Sequence, residues 1–64
     1  MSRVLIYYAN KIVKDEKGNE IFDFIDFIEI VAEDPAIDII VARKVTELVN
    51  AGKLVTGIEY KGCE

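Results

Sequence analysis

Apolar and polar positions follow two rhythms along this chain, and each predicts a different kind of element. Arg3 to Asn10 (R-V-L-I-Y-Y-A-N) is dense in β-branched and aromatic residues and lacks a helical period, so it predicts a strand at 3–10 buried over much of both faces. Lys11 to Glu20 holds a short apolar pair and then a polar stretch. Gly18 and Asn19 tolerate positive φ there, which predicts a loop or brief hairpin around 15–19. Acidic residues then fall at 20, 23, 26, 29 and 33, with Ile21, Phe24, Ile25, Ile28, Val31 and Ala32 on the other side of a helical wheel. That spacing predicts an amphipathic helix over 21–33. Propensity pulls the other way, since Ile, Phe and Val favour strands and Glu20 to Phe24 could extend a hairpin with 11–14. The helix is preferred because a strand would mix Asp26 with Phe22 and Phe24 on one face, and Asp23 with Ile25 and Phe27 on the other.

Asp34-Pro35 punctuates the chain: Asp is a favoured N-cap, Pro suits the first helical position, and Pro disfavours helical geometry in the residue before it. A second helix is expected at 35–51, with Ile37, Ile40, Val41, Val45, Leu48 and Val49 on its apolar side and Gly52 at its C′ position. The competing reading makes Ile37 to Ala42 a buried strand and leaves only 43–51 helical. Lys53 to Tyr60 predicts a last strand with Leu54, Thr56, Ile58 and Tyr60 on one side and a bulge at Gly57. The expected fold is α+β, a single 1–64 domain of order β-(turn/hairpin)-α-α-β, with two helices packed on one face of a small antiparallel sheet.

Size then sharpens the picture. A chain of 64 residues hides only roughly 60% of its unfolded surface, and 52% of these residues are hydrophobic. With no His and a single Cys, Cys63, neither an internal disulfide nor a zinc site can supply the missing stability. Packing against a second copy is the remaining route, so a homodimer is expected. The apolar run Val4 to Ala9 is too short for a signal-peptide core or a membrane span, and Asp23, Asp26, Glu29 and Asp38 interrupt the later ones. A cytoplasmic protein without membrane attachment is the expectation, with Cys63 given no role.

Charge is uneven: residues 1–14 sum to +3, residues 15–38 to −8 and residues 39–64 to +1, giving the net −4. On a helix over 21–33, Asp23, Asp26 and Glu29 would form an outer acidic face suited to a basic protein partner, or simply a solvated face. Phe22, Phe27 and Ile30 would flank the core arc as extra apolar surface. Tyr7 and Tyr8 join a large ring to a polar tip and must point to opposite faces of a strand, so one is core and the other available for binding.

No reaction can be assembled from these residues. There is no His, Ser occurs only at position 2, and Thr46 and Thr56 lack a base. Gly18, Gly52, Gly57 and Gly62 are isolated, and Asp15 to Glu20 puts Lys17 where a calcium loop needs an oxygen ligand. No enzyme, cofactor or metal is therefore expected. The leading expectation is a small non-enzymatic protein-interaction module. The alternative is a nucleic-acid-associated regulator acting through Arg43, Lys44 and Lys53, or an acidic mimic of nucleic acid. Arg43 and Lys44, Gly52-Lys53 and the strand after them resemble the recognition helix and wing of winged-helix domains over about 40–62. Such a domain needs a further helix before residue 21, and few basic residues are present, so nucleic acid is the less favoured partner.

Overall fold

The structure, a computed structural model, describes residues 1–63, the side chain of Cys63 excepted. The assignment of no role to Cys63 thus falls outside the described residues. Four elements follow in order: β1 (Ser2–Lys14), β2 (Glu20–Ala32), α1 (Ala36–Asn50) and β3 (Leu54–Cys63). The strands form one antiparallel sheet in the order β2-β1-β3.

The expected helix over 21–33 is strand β2, and the fold is β-β-α-β with one helix, not two helices on a sheet. Two forces override the three-and-four spacing of the acids. Ile, Phe and Val occupy most of Glu20–Ala32 and lose χ1 freedom in a helix. A tight local turn also places these residues directly beside β1. Gly18 N–H donates to Asp15 O at 3.0 Å, Asp15 N–H to Asn19 O at 2.9 Å, and Asp15 Oδ1 accepts from the N–H groups of Lys17 and Asn19, both at 2.9 Å. Gly18 supplies the φ of 83° that this turn-plus-bulge hairpin demands. The mixing of acids and aromatics on each face does occur, and it is tolerated because that part of β2 is exposed to water.

The core lies between one face of the sheet and α1. Val4 and Ile6 of β1 and Ile30 of β2 meet Ile37, Val41 and Leu48 of the helix, with Tyr8, Ile28, Ala32, Val45 and Val55 at the margin. Helix 36–50 matches the expected second helix, so the strand alternative for 37–42 does not hold. Its N-terminus differs in detail: Pro35 stands at the cap position with no side-chain cap, and the Asp34 carboxylate instead accepts a hydrogen bond from the Ser2 hydroxyl. That bond ties the start of β1 to the entry of the helix. At the other end Gly52 N–H donates to Val49 O at 3.0 Å and Lys53 N–H to Leu48 O at 2.9 Å, the paired bonds of a Schellman stop, with Gly52 at φ 81°.

A Cβ added at Gly52 would meet nothing within 4 Å. Substitution there consequently costs backbone strain alone. Gly52→Ala is expected to lower stability by about 1–2 kcal/mol, and Gly52→Asn by less, because Asn enters the left-handed region more readily. Chemical denaturation of the two variants checks the order; equal losses would refute it.

β3 carries two register shifts against β1, opposite Arg3/Val4 and Tyr7/Tyr8. The second lies at Gly57, where a bulge was expected. It also corrects the expected face of β3: Leu54 pairs with Ala9, whereas Ile58 and Tyr60 pair with Ile6 and Val4 and share the helix side.

Strands of 13 residues run about 43 Å, while a 15-residue helix covers about 22 Å. The helix therefore covers only the base of the sheet. Beyond Asn10 and Phe24 the hairpin of β1 and β2 projects as an arm, and the molecule measures 44 × 23 × 11 Å. Its radius of gyration is 13.9 Å, against about 11 Å for a compact domain of this length. Its accessible surface of 4621 Å² exceeds the roughly 4,100 Å² expected from its mass.

Candidate interaction surface

The sheet has one face under α1 and one face under nothing. On β1, Arg3, Leu5, Tyr7 and Ala9 point away from the helix, because Val4, Ile6 and Tyr8 point toward it. Cross-strand register adds Ile25, Phe27, Glu29 and Val31 from β2, opposite Ala9, Tyr7, Leu5 and Arg3. From β3 it adds Leu54, Gly57 and Glu59. The centre of this open face is tight: Leu5 is 9% exposed and Ala9 fully buried by their flanking neighbours. Its rim is not, with Ile25 and Phe27 more than half exposed. Tyr7 and Phe27 stack as a tilted pair, ring centroids 6.0 Å apart.

Charges on the open face neutralise one another. Arg3 Nε lies 3.7 Å from Glu29 Oε2, and Lys61 Nζ lies 2.6 Å from Glu59 Oε1. The hydrogen bond from Lys61 to Glu59 is the main cause that raises the Lys61 pKa above its ordinary value. On the opposite face Tyr60 Oη donates to Asp38 Oδ1 of α1 at 3.3 Å, and its pKa is raised by desolvation first and by Asp38 second.

The arm is apolar and uncovered. Ile12 sits opposite Phe22 and Val13 opposite Ile21, and Ile12, Ile21 and Phe22 are each nearly half exposed. A shallow depression of about 130 Å³ lies among Ile12, Glu20, Ile21 and Phe22, below the size of an ordinary ligand pocket. A wider open dip at the hairpin tip is lined by Asp15, Glu16, Lys17 and Asn19. Where the arm joins the base, between the pairs Ala9–Ile25 and Lys11–Asp23, Phe24 takes φ 56°, a strained conformation for a bulky residue.

The residues singled out from sequence are scattered by this architecture. Asp23, Asp26 and Glu29 form no helix face; they lie on β2, where alternation separates Asp26 from Glu29. Glu29 holds Arg3, and Asp26 Oδ1 accepts the N–H of Phe27 at 2.7 Å. Ile30 belongs to the core and is 9% exposed, so it offers no surface. Phe22 lies on the arm, Phe27 and Tyr7 meet on the open face, and Tyr8 packs at the core margin, so the two tyrosines do point to opposite faces. Lys44 Nζ is 2.9 Å from Glu47 Oε2 and Lys53 Nζ 2.6 Å from Asn10 Oδ1, while Arg43 lies exposed on α1. The winged-helix likeness fails on the fold, since a trihelical core needs helices that the described residues do not form.

What sequence reasoning missed is the open face itself. It depends on β2 being a strand, and the only signal was the β-propensity of Glu20–Ala32. No cluster of His, Cys, Asp and Glu suited to a metal ion occurs among the described residues. No helix among the described residues is long and apolar enough to cross a membrane. No family model, no curated protein and no solved structure matches this chain.

Proposed function

We infer that this chain is a small non-enzymatic protein-interaction module that works as a homodimer. One observation carries the reading: the three phenylalanines, Phe22, Phe24 and Phe27, are 46%, 60% and 54% exposed, on a sheet of which the single helix covers only part of one face. Large rings left on uncovered parts of either sheet face are costly in water unless another protein surface covers them. The shallowness of the depression at Phe22 and the lack of a nucleophile–base pair among the described residues favour a binding role over catalysis.

Sedimentation equilibrium from micromolar to millimolar chain is the test. Twice the 7.2 kDa chain mass is expected. A chain that stays at 7.2 kDa throughout this range overturns the reading.

A further inference from the structure

We propose that the second copy docks open face to open face, with Tyr7 and Phe27 at the centre of a two-fold interface between the two sheets. The proposal rests on the homodimer reading and assigns its surface. Four observations favour this surface over the others the molecule offers.

Edge pairing is obstructed on both sides. A second β2 edge would bring the run of Glu20, Asp23, Asp26 and Glu29 alongside the same acidic run of the copy, with the Phe27 N–H already engaged by Asp26. The β3 edge is bent by two bulges, a common guard against strand addition. The exposed side of α1 carries a few apolar residues, Ile39, Ile40 and Val49, interrupted by Arg43, Thr46 and Asn50.

Charge suits a copy of the same chain. A partner of opposite charge is selected by a charged face, but the open face closes its own charges into Arg3–Glu29 and Lys61–Glu59 pairs. Two chains of net charge −4 can meet there without stacking like charges. Both ion pairs sit toward the chain-terminal end, which leaves the Tyr7–Phe27 stack and Ile25 as an apolar centre with a polar rim.

Area also fits. A face spanning at most 44 × 23 Å, arm included, projects up to about 1,000 Å², against about 800 Å² per partner in a stable complex. An isologous contact of this kind sets Phe27 against the same region of its copy, so one substitution acts twice.

The experiment measures the dimer dissociation constant of the full chain by sedimentation, with circular dichroism to follow folding. Phe27→Asp places two carboxylates at the centre and is expected to weaken the dimer at least about 100-fold while the chain stays folded, since Phe27 is an exposed side chain. Phe22→Asp, on the arm, is expected to leave the constant within a few-fold of the parent. Ile25→Lys serves as a second open-face variant where Phe27→Asp does not fold, with the same loss expected. A folded open-face variant that stays as tightly dimeric as the parent overturns the proposal. So does a dimer lost on Phe22→Asp, which assigns the contact to the arm and leaves the homodimer reading intact. A parent chain that is monomeric throughout overturns both.

Discussion

Ile6→Ala is expected to leave the chain largely unfolded at room temperature. Ile6 is fully buried on the central strand, facing α1, with Ile28 of β2 and Ile58 of β3 as its cross-strand neighbours. Removing three carbons from such a site costs the lost transfer energy plus the residual cavity, about 2–5 kcal/mol for Ile to Ala. A single core in a domain of this size supplies only about 3–5 kcal/mol of net stability. The surroundings cannot collapse to fill the gap, because Val4 beside it is also fully buried and both flanking strands are fixed by their ladders. Ile6→Val removes one methyl and should cost only about 1 kcal/mol, leaving a folded chain. Urea titration of both variants checks this. A loss below 1 kcal/mol for Ile6→Ala would mean that the sheet and helix are not held together at Ile6.

The parts of this architecture that were legible in sequence are those fixed by local chemistry. Gly18 in the turn and Gly52 after the helix were readable because glycine satisfies a backbone demand there, and the bulge at Gly57 because a glycine interrupts a strand pattern. The helix at 36–50 was readable from Ile37, Val41 and Leu48 recurring at helical spacing. Residues 20–32 were not, because their pattern carries two periods at once. The acids recur every third residue, a spacing close to a helical turn, while the apolar residues between them are strand formers. On a strand that spacing scatters acids over both faces, a cost that is large in a buried sheet and small in an exposed arm. Which environment applies depends on how far α1 reaches, a tertiary fact. The candidate site followed the same logic: Phe27 and Tyr7 were singled out separately as apolar anchors, but only the β1–β2 register brings their rings to 6.0 Å. Ile30 was misplaced for the converse reason, since its helical position looked peripheral while its strand position lies under the helix.

Excising the arm should change the shape of the molecule far more than its stability. Replacing residues 11–23 with Asn-Gly would close β1 and β2 by a two-residue turn between Asn10 and Phe24, which face each other in the continuous register that flanks them. Every core side chain, Val4, Ile6, Ile30, Ile37, Val41 and Leu48, lies outside the excised segment. Ile12, Ile21 and Phe22 are nearly half exposed, so little apolar burial is lost with them. What is lost with them is chiefly the β1–β2 ladder bonding of the arm, set against the ordering entropy of the same residues, about 1–2 kcal/mol each, which no longer opposes folding. The two terms offset, and the stability of the trimmed chain should fall within about 1 kcal/mol of the parent. Small-angle scattering of a dilute, monomeric sample should instead show a radius well below 13.9 Å, close to the roughly 10–11 Å of a compact small domain. A trimmed chain that unfolds would mean that the arm is held against something, and that the base does not fold on its own core.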